Sequence, residues 1–286
     1  MFGRSRSASA RPLPASQADS RPSPGRIVAV ANQKGGVGKT TTAVNLGAAL
    51  AELGQRVLLV DCDPQGNATS GLGIDRRRVE RSVYDVLLDD VAAALAVRQT
   101  VVPGLAILPS TLDLAGAELE LVAASTRESR LRDALQPLRA EFAWILIDCP
   151  PSLGLLTLNA LVAADGVLVP IQCEYYALEG VGQLMSTIQS VRRNMNPALE
   201  VEGVLLTMYD GRTNLSLQVA EEVRRAFRDE VFQALVPRNV RLSEAPSHGL
   251  PISAYDPRSR GAQVYEAVAK EVVARARSKA AAGSGA

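Results

Sequence analysis

The stretch Ile27-Val-Ala-Val-Ala-Asn-Gln-Lys-Gly-Gly-Val-Gly-Lys-Thr-Thr41 decides the fold. An apolar run, Ile27–Ala31, passes through a glycine-rich turn into a helical pattern over Thr40–Leu53. That strand–turn–helix setting gives a phosphate-loop reading its physical sense. Gly35, Gly36 and Gly38 let backbone N–H groups converge on phosphate oxygens, and the helix starting near Lys39 turns its positive end toward them. Lys39 supplies a point charge for the β- and γ-phosphates, and Thr40 is placed to hold Mg²⁺. The nucleotide-contacting run is therefore Gly35, Gly36, Val37, Gly38, Lys39, Thr40 and Thr41.

Outward from this loop, short apolar runs at Val57–Val60, Leu105–Leu108, Trp144–Ile147, Gly166–Pro170 and Val201–Thr207 alternate with helical patterns at Ser129–Glu141, Leu155–Ala163, Glu179–Asn194, Leu215–Phe227 and Ala262–Arg277. The runs are continuously apolar, as expected of parallel strands buried on both faces. The fold class that follows is α/β, a single doubly wound, mostly parallel sheet flanked by helices.

Two further segments place acids at strand ends, where ligands of open α/β sheets collect. Val57-Leu-Leu-Val60 is followed by Asp61-Cys-Asp-Pro-Gln-Gly-Asn67. A solvated acidic loop tip is the plain alternative; beside a phosphate loop, Asp63 is the candidate for orienting an attacking water and Asp61 for the Mg²⁺ shell. Trp144-Ile-Leu-Ile147 is followed by Asp148-Cys-Pro-Pro-Ser152, whose prolines stiffen the loop.

Composition excludes several classes. Apolar residues make up 47% and charged residues 21% of the 286 residues, with a net charge of +1, so bulk charge does not mark a polyanion-coating protein. No window approaches about eighteen uninterrupted apolar residues, and the arginine-rich N-terminus lacks the apolar stretch of a secretory signal. A soluble, cytoplasmic protein with no membrane association is the expectation. Cys62, Cys149 and Cys173 form no CxxC pair and read as reduced, buried small hydrophobes. His248, the single histidine, reads as a local hydrogen-bonder in its loop.

Residues 1–25 read as a disordered Arg/Ser/Pro-rich tail, 26–279 as one ATPase domain and 280–286 as a flexible tail. The N-terminal tail is compatible with a solvated leader, an electrostatic arm or an organellar transit peptide.

The standard loop pattern wants glycine where this chain has Gln33, and Lys34 follows it. A leading lysine in KGGxGKT resembles the deviant Walker-type ATPases, and DxDPQGN resembles the ParA/Soj chromosome-partitioning family within them. Thr207-Met-Tyr-Asp-Gly-Arg-Thr213 and Val236-Pro-Arg-Asn-Val-Arg-Leu-Ser243 resemble its chromosomal subgroup. The resemblance implies an ATP- and Mg²⁺-dependent switch that forms a homodimer on ATP binding, with Lys34 reaching the partner's phosphates and Lys39 and Asp63 completing the catalytic set. It assigns Asp148 to the Mg²⁺ shell and Pro150–Gly154 to a switch loop. It puts Met208, Pro237 and Asn239 near the adenine, and gives Arg212 and Arg241 a part in sequence-independent binding of double-stranded DNA. It further implies stimulation by a ParB/Spo0J-type partner, nucleoid association, and the short type without an N-terminal DNA-reading domain.

From Thr207 onward, twelve basic residues face nine acidic ones, so a DNA site must come from spatial clustering. A solvated face, or a salt bridge to Glu244, is the plain alternative for Arg212 and Arg241. Two other functions compete: a membrane-associated division-site ATPase, which needs an amphipathic C-terminal helix, and an electron-transfer ATPase, which needs exposed cluster-binding cysteines.

Overall fold

In a computed structural model, residues 25–124, 126–175 and 177–283 are described. The readings of the N-terminal tail up to Pro24 and of residues 284–286 lie outside them. The chain runs β1 (Arg26–Val30), α1 (Lys39–Glu52), β2 (Val57–Asp61), α2 (Asn67–Gly71), α3 (Val83–Leu88), α4 (Ala93–Ala96), β3 (Arg98–Gln99), β4 (Leu105–Leu108), α5 (Leu114–Leu121), α6 (Arg130–Leu135) and β5 (Trp144–Asp148). It continues as α7 (Leu155–Ala163), β6 (Gly166–Gln172), α8 (Glu179–Asn194), β7 (Glu200–Thr207), α9 (Asn214–Phe227), α10 (Val240–Glu244), α11 (Ile252–Tyr255) and α12 (Arg260–Gly283).

The strands form one seven-stranded sheet in the order β3-β4-β2-β5-β1-β6-β7. All pairings are parallel except β3 with β4, an antiparallel edge that the sequence reading does not contain. Both faces are covered. Ile27, Ala29, Leu58, Val60, Ile145 and Ile147 pack into one apolar layer, while Val28, Val30, Val57, Leu59 and Leu146 pack into the other. A period of two is present in β1, β2 and β5, yet invisible in sequence, because neither face of these strands meets water.

Helix α1 is almost entirely buried between the sheet and α12. Its small residues permit this: a Cβ at Gly47 would stand 3.3 Å from Leu105 Cδ1. Burying a leucine such as Leu46 or Leu50 stabilises by about 1.5–3 kcal/mol. The hydroxyls of Thr42 and Tyr265 hydrogen-bond at 3.2 Å across the α1–α12 contact.

Three expectations need correction. The helix expected over Ser129–Glu141 divides at Leu135 and continues as a 3₁₀ turn, Gln136–Ala140. Pro137 lacks the N–H an α-helix needs there. The flexible tail expected from Ala280 is helical through Gly283. Alanine favours continued helix, and Lys279 anchors the last turns by ion pairs to Glu200 at 3.0 Å and Glu202 at 3.6 Å. His248, expected to hydrogen-bond locally, stacks on Tyr255 with ring centroids 4.8 Å apart.

Candidate nucleotide site

The loop after β1 lies at the carboxyl end of the sheet, between the ends of β5 and β6. Asn32 fixes its entry, since the side-chain amide donates to the Pro170 carbonyl at 2.7 Å and the side-chain oxygen accepts from Lys34 N–H at 3.0 Å. At its exit Gly38 caps α1 at φ 88°, and Gly36 has φ 75°, both in the left-handed region where a side chain would be strained. Thr207, at the end of β7, donates its hydroxyl to the Val37 carbonyl at 2.8 Å. The loop is held from three strands.

Lys39 is 6% exposed and its ammonium donates to the Lys34 carbonyl at 3.0 Å. Burial lowers its pKa, opposed chiefly by the charge of Asp148. Lys34 is half-buried, its ammonium makes no ion pair among the described residues, and its neighbours Gly35 and Gly36 are exposed. The two lysines thus differ in kind: one faces the cradle, the other its lip.

Asp61 and Asp148 are register partners on β2 and β5 and are fully buried. Their carboxylates have different surroundings. Asp61 accepts from Thr69 N–H at 2.8 Å and Thr69 Oγ1 at 2.6 Å through one oxygen, and from Asp63 N–H at 3.3 Å through the other. Thr69 Oγ1 in turn accepts from Ser110 N–H at 2.9 Å. These bonds brace α2 against the sheet and hold the Asp61 carboxylate beside that of Asp148. Burial pushes its pKa up to about 6 against the pull of Thr69.

Neither carboxylate oxygen of Asp148 has a hydrogen-bond partner among the described residues, although both are buried. Burial first, then the charge of Asp61, holds its pKa well above the usual carboxylate range; the Thr40 hydroxyl and Lys39 act in the opposite direction. A buried, unpartnered carboxylate beside a threonine hydroxyl and a lysine is an oxygen donor set suited to a hard cation such as Mg²⁺. Asp148 and Thr40 fit that ion.

Asp63 is 7% exposed in the loop after β2 and accepts from Gln65 N–H at 2.9 Å through one carboxylate oxygen. The Pro150–Gly154 loop lies close by, with Pro151 Cβ 4.0 Å from a Cβ built at Gly35. Glu118 of α5 presses on Gly154 from behind and accepts from Leu156 N–H at 3.4 Å.

A cavity of about 560 Å³ opens from the loop, lined by Gly38, Thr41, Met208, Pro237, Asn239 and Tyr265 among others. The three expected adenine contacts therefore meet beside the phosphate loop. Met208 adopts φ 50°, and an isolated bridge from Tyr209 to Pro237 brings the two segments together.

A family model described as an AAA domain matches residues 25–201. The sporulation initiation inhibitor protein Soj of Bacillus subtilis is 61% identical over 250 residues, covering 87% of this chain and 99% of that protein. The chromosome partitioning protein ParA of Myxococcus xanthus is 57% identical, covering 88% of this chain and 89% of that protein.

The chain belongs to the ParA/Soj family.

Among solved structures, one from Mycobacterium smegmatis described as cobyrinic acid a,c-diamide synthase with bound ADP and magnesium superposes with a TM-score of 0.79 at 44% identity, covering 89% of this chain and 96% of that one. The septum site-determining protein MinD of Pyrococcus horikoshii, complexed with Mg-ADP, superposes with a TM-score of 0.71 at 29% identity, covering 86% and 95%. Sequence reasoning did not single out Asn32, Thr207 or Tyr265 as parts of this ParA/Soj site. Thr207 stands in a quoted family segment, but only the fold shows that its hydroxyl meets Val37.

The expected DNA-contacting arginines are exposed, and neither lines the cavity. Arg212 is 90% exposed and grips Asp210 through two hydrogen bonds of 2.9 and 2.8 Å, which pull the Asp210 pKa down to about 2. Arg241 pairs with Glu244 at 2.9 Å and approaches Asp256 at 3.8 Å. The salt bridge named as the plain alternative for Arg241 is thus formed, and the guanidinium stays 56% exposed.

Proposed function

We propose that this ParA/Soj chain is an Mg²⁺-dependent ATPase switch for DNA partitioning, whose ATP-bound homodimer holds double-stranded DNA without regard to sequence and lets go after hydrolysis. The observation that carries the reading is the division of labour between Lys39, buried against the cradle, and Lys34, uncommitted at its lip. A lysine at the lip can act on a second subunit's phosphates, so charge stabilisation in the transition state becomes a property of the pair.

In this mechanism the amides of Gly35–Thr41 and the Lys39 ammonium bind the phosphates, and the cavity at Met208, Pro237 and Asn239 takes the purine. Asp148, Thr40 and Asp61 would hold Mg²⁺, which would offset charge developing on the β- and γ-phosphates. Asp63 orients the attacking water. The Pro150–Gly154 loop, backed by Glu118, senses the γ-phosphate. Arg212 and Arg241, whose guanidiniums are exposed, turn them to DNA phosphates in exchange for the half-buried carboxylates of Asp210 and Glu244. A ParB/Spo0J-type partner stimulates turnover, and the protein is nucleoid-associated in consequence.

The membrane-associated reading requires an outward apolar face on the C-terminal helix. Tyr265, Val268, Ala269 and Val272 of α12 are instead buried in the core, and no helix among the described residues is long and apolar enough to cross a membrane. The electron-transfer reading requires exposed cysteines, whereas Cys62, Cys149 and Cys173 are free and buried.

The test is ATP-dependent retention on duplex DNA of Lys34→Ala, Asp63→Ala and Arg241→Ala side by side. Loss of productive dimer turnover, a DNA-bound dimer that does not release, and a dimer that does not hold DNA are the respective expectations. Equal DNA retention by the wild-type chain with ADP and with ATP sinks the proposal.

A further inference from the structure

The segment Asp75-Arg-Arg-Arg-Val-Glu-Arg81 sets four guanidiniums against two carboxylates and takes no part in the nucleotide site described above. Arg77 and Arg78 are 89% and 88% exposed, and Arg81 is exposed as well. Asp75 is shared, 3.0 Å from Arg77 and 3.8 Å from Arg78. Pairs this open to water contribute little and exchange readily for another anion. A run of forked donors with excess positive charge suits phosphate oxygens spaced along a backbone.

Its place in the fold gives that charge a direction. The segment starts just past Gly73, whose backbone lies against Gly249: a Cβ at Gly249 would fall 2.6 Å from Gly73 Cα. Gly249 ends the 3₁₀ turn Ala245–His248, which continues the helix carrying Arg241. The arginine run and Arg241 therefore ride on two segments packed backbone to backbone. Arg76, half-buried, points inward; its guanidinium donates to the Gln65 carbonyl and its stem packs on Gly66, in the loop that carries Asp63.

We propose that Arg77, Arg78 and Arg81 form a second phosphate-contacting strip for duplex DNA beside Arg241, with Arg76 fastening the strip to the hydrolysis loop. This rests on the DNA-binding reading given above. Each neutralised phosphate releases counterions, so the strip has a signature distinct from a structural role: the slope of log affinity against log salt.

The experiment measures binding of the full ATP-bound chain to random-sequence duplex across a salt series. It compares the wild type, the triple variant Arg77→Ala/Arg78→Ala/Arg81→Ala and the triple variant with lysine at the same positions. The alanine triple is expected to bind at least ~10-fold more weakly at low salt, with a slope shallower by about 2–3 for each subunit of the dimer, since each phosphate left without its arginine removes about 0.9. The lysine triple is expected to keep the wild-type slope. An unchanged slope and affinity in the alanine triple overturns the strip and leaves the DNA-binding reading standing. Equal weakening in both triples also overturns it, because the effect would then not be one of charge. Wild-type binding that is the same with ADP and ATP overturns the underlying reading, and the strip with it.

Discussion

The Lys39 ammonium donates to the backbone carbonyl of Lys34 at 3.0 Å, so the two lysines of the phosphate loop are joined through one hydrogen bond. That bond uses one N–H of the ammonium and leaves the others for phosphate. Lys39→Ala is expected to weaken ATP binding by at least ~10-fold, since a charge-assisted hydrogen bond to phosphate disappears. Lys34→Ala keeps its backbone carbonyl, and is expected to bind ATP within a few-fold of wild type while turnover falls by roughly 10²-fold or more. Fluorescent-nucleotide binding and steady-state turnover, measured on the same preparations, separate the two. Comparable weakening of ATP binding in both variants would remove the distinction drawn between cradle and lip.

Asp63 is poised differently from its neighbour Asp61, with one carboxylate oxygen bound to Gln65 N–H and the residue at the edge of the site. Asp63→Ala is expected to retain ATP and lose at least ~10²-fold in turnover, the size typical of removing a positioned base. Single-turnover hydrolysis checks this. A variant that hydrolyses ATP at the wild-type rate would take Asp63 out of the mechanism.

Asp148 is a buried carboxylate without a hydrogen-bond partner among the described residues. Asp148→Asn removes a buried ionisable charge and is therefore expected to stabilise the protein in EDTA, while Mg²⁺-dependent hydrolysis is lost. The pH dependence follows from the raised pKa values of Asp148 and, at about 6, of Asp61. A raised acid holds its proton in the fold after the unfolded chain has released it. Stability then falls as pH rises from the ordinary carboxylate range through the folded value. Urea unfolding of wild type and variant, at a pH below and one above that of the Asp61 transition, should show a shallower decline in the variant. A destabilised Asn variant with an unaltered pH slope would contradict this assignment.

Thr207 tests the strand-to-loop tether. Thr207→Val preserves shape but leaves the Val37 carbonyl without the hydroxyl it accepts at 2.8 Å. A cost of about 1–3 kcal/mol in stability is expected, together with weaker ATP binding, because the loop's three-point support is reduced to two. Calorimetric ATP titration and denaturant midpoints measure both. Wild-type ATP affinity in this variant would show that the loop holds its shape unaided.

Much of the site was legible because its signals are local. Glycines at the loop, acids immediately after apolar strands and the order of the three segments are all patterns within a few residues. The capping-box pair Ser82 and Asp85, which opens α3, is equally local, but short helices between Asn67 and Leu121 carry too few turns for a periodic signal. The edge strand Arg98–Gln99 has only two residues and exists through its pairing with Ile107 and Ala106.

Residue identities alone determined the parallel α/β sheet, the phosphate loop with its two lysines and the carboxylates at the strand ends. Those features follow from backbone sterics and from burial on both faces of each strand. The different fates of Asp61 and Asp148 were decided only by tertiary structure. Both follow an apolar strand and both are fully buried, but Thr69 reaches one and no donor among the described residues satisfies the other. Thr207 at Val37 and Gly73 against Gly249 are likewise the work of distant segments brought together, which no spacing within the chain encodes.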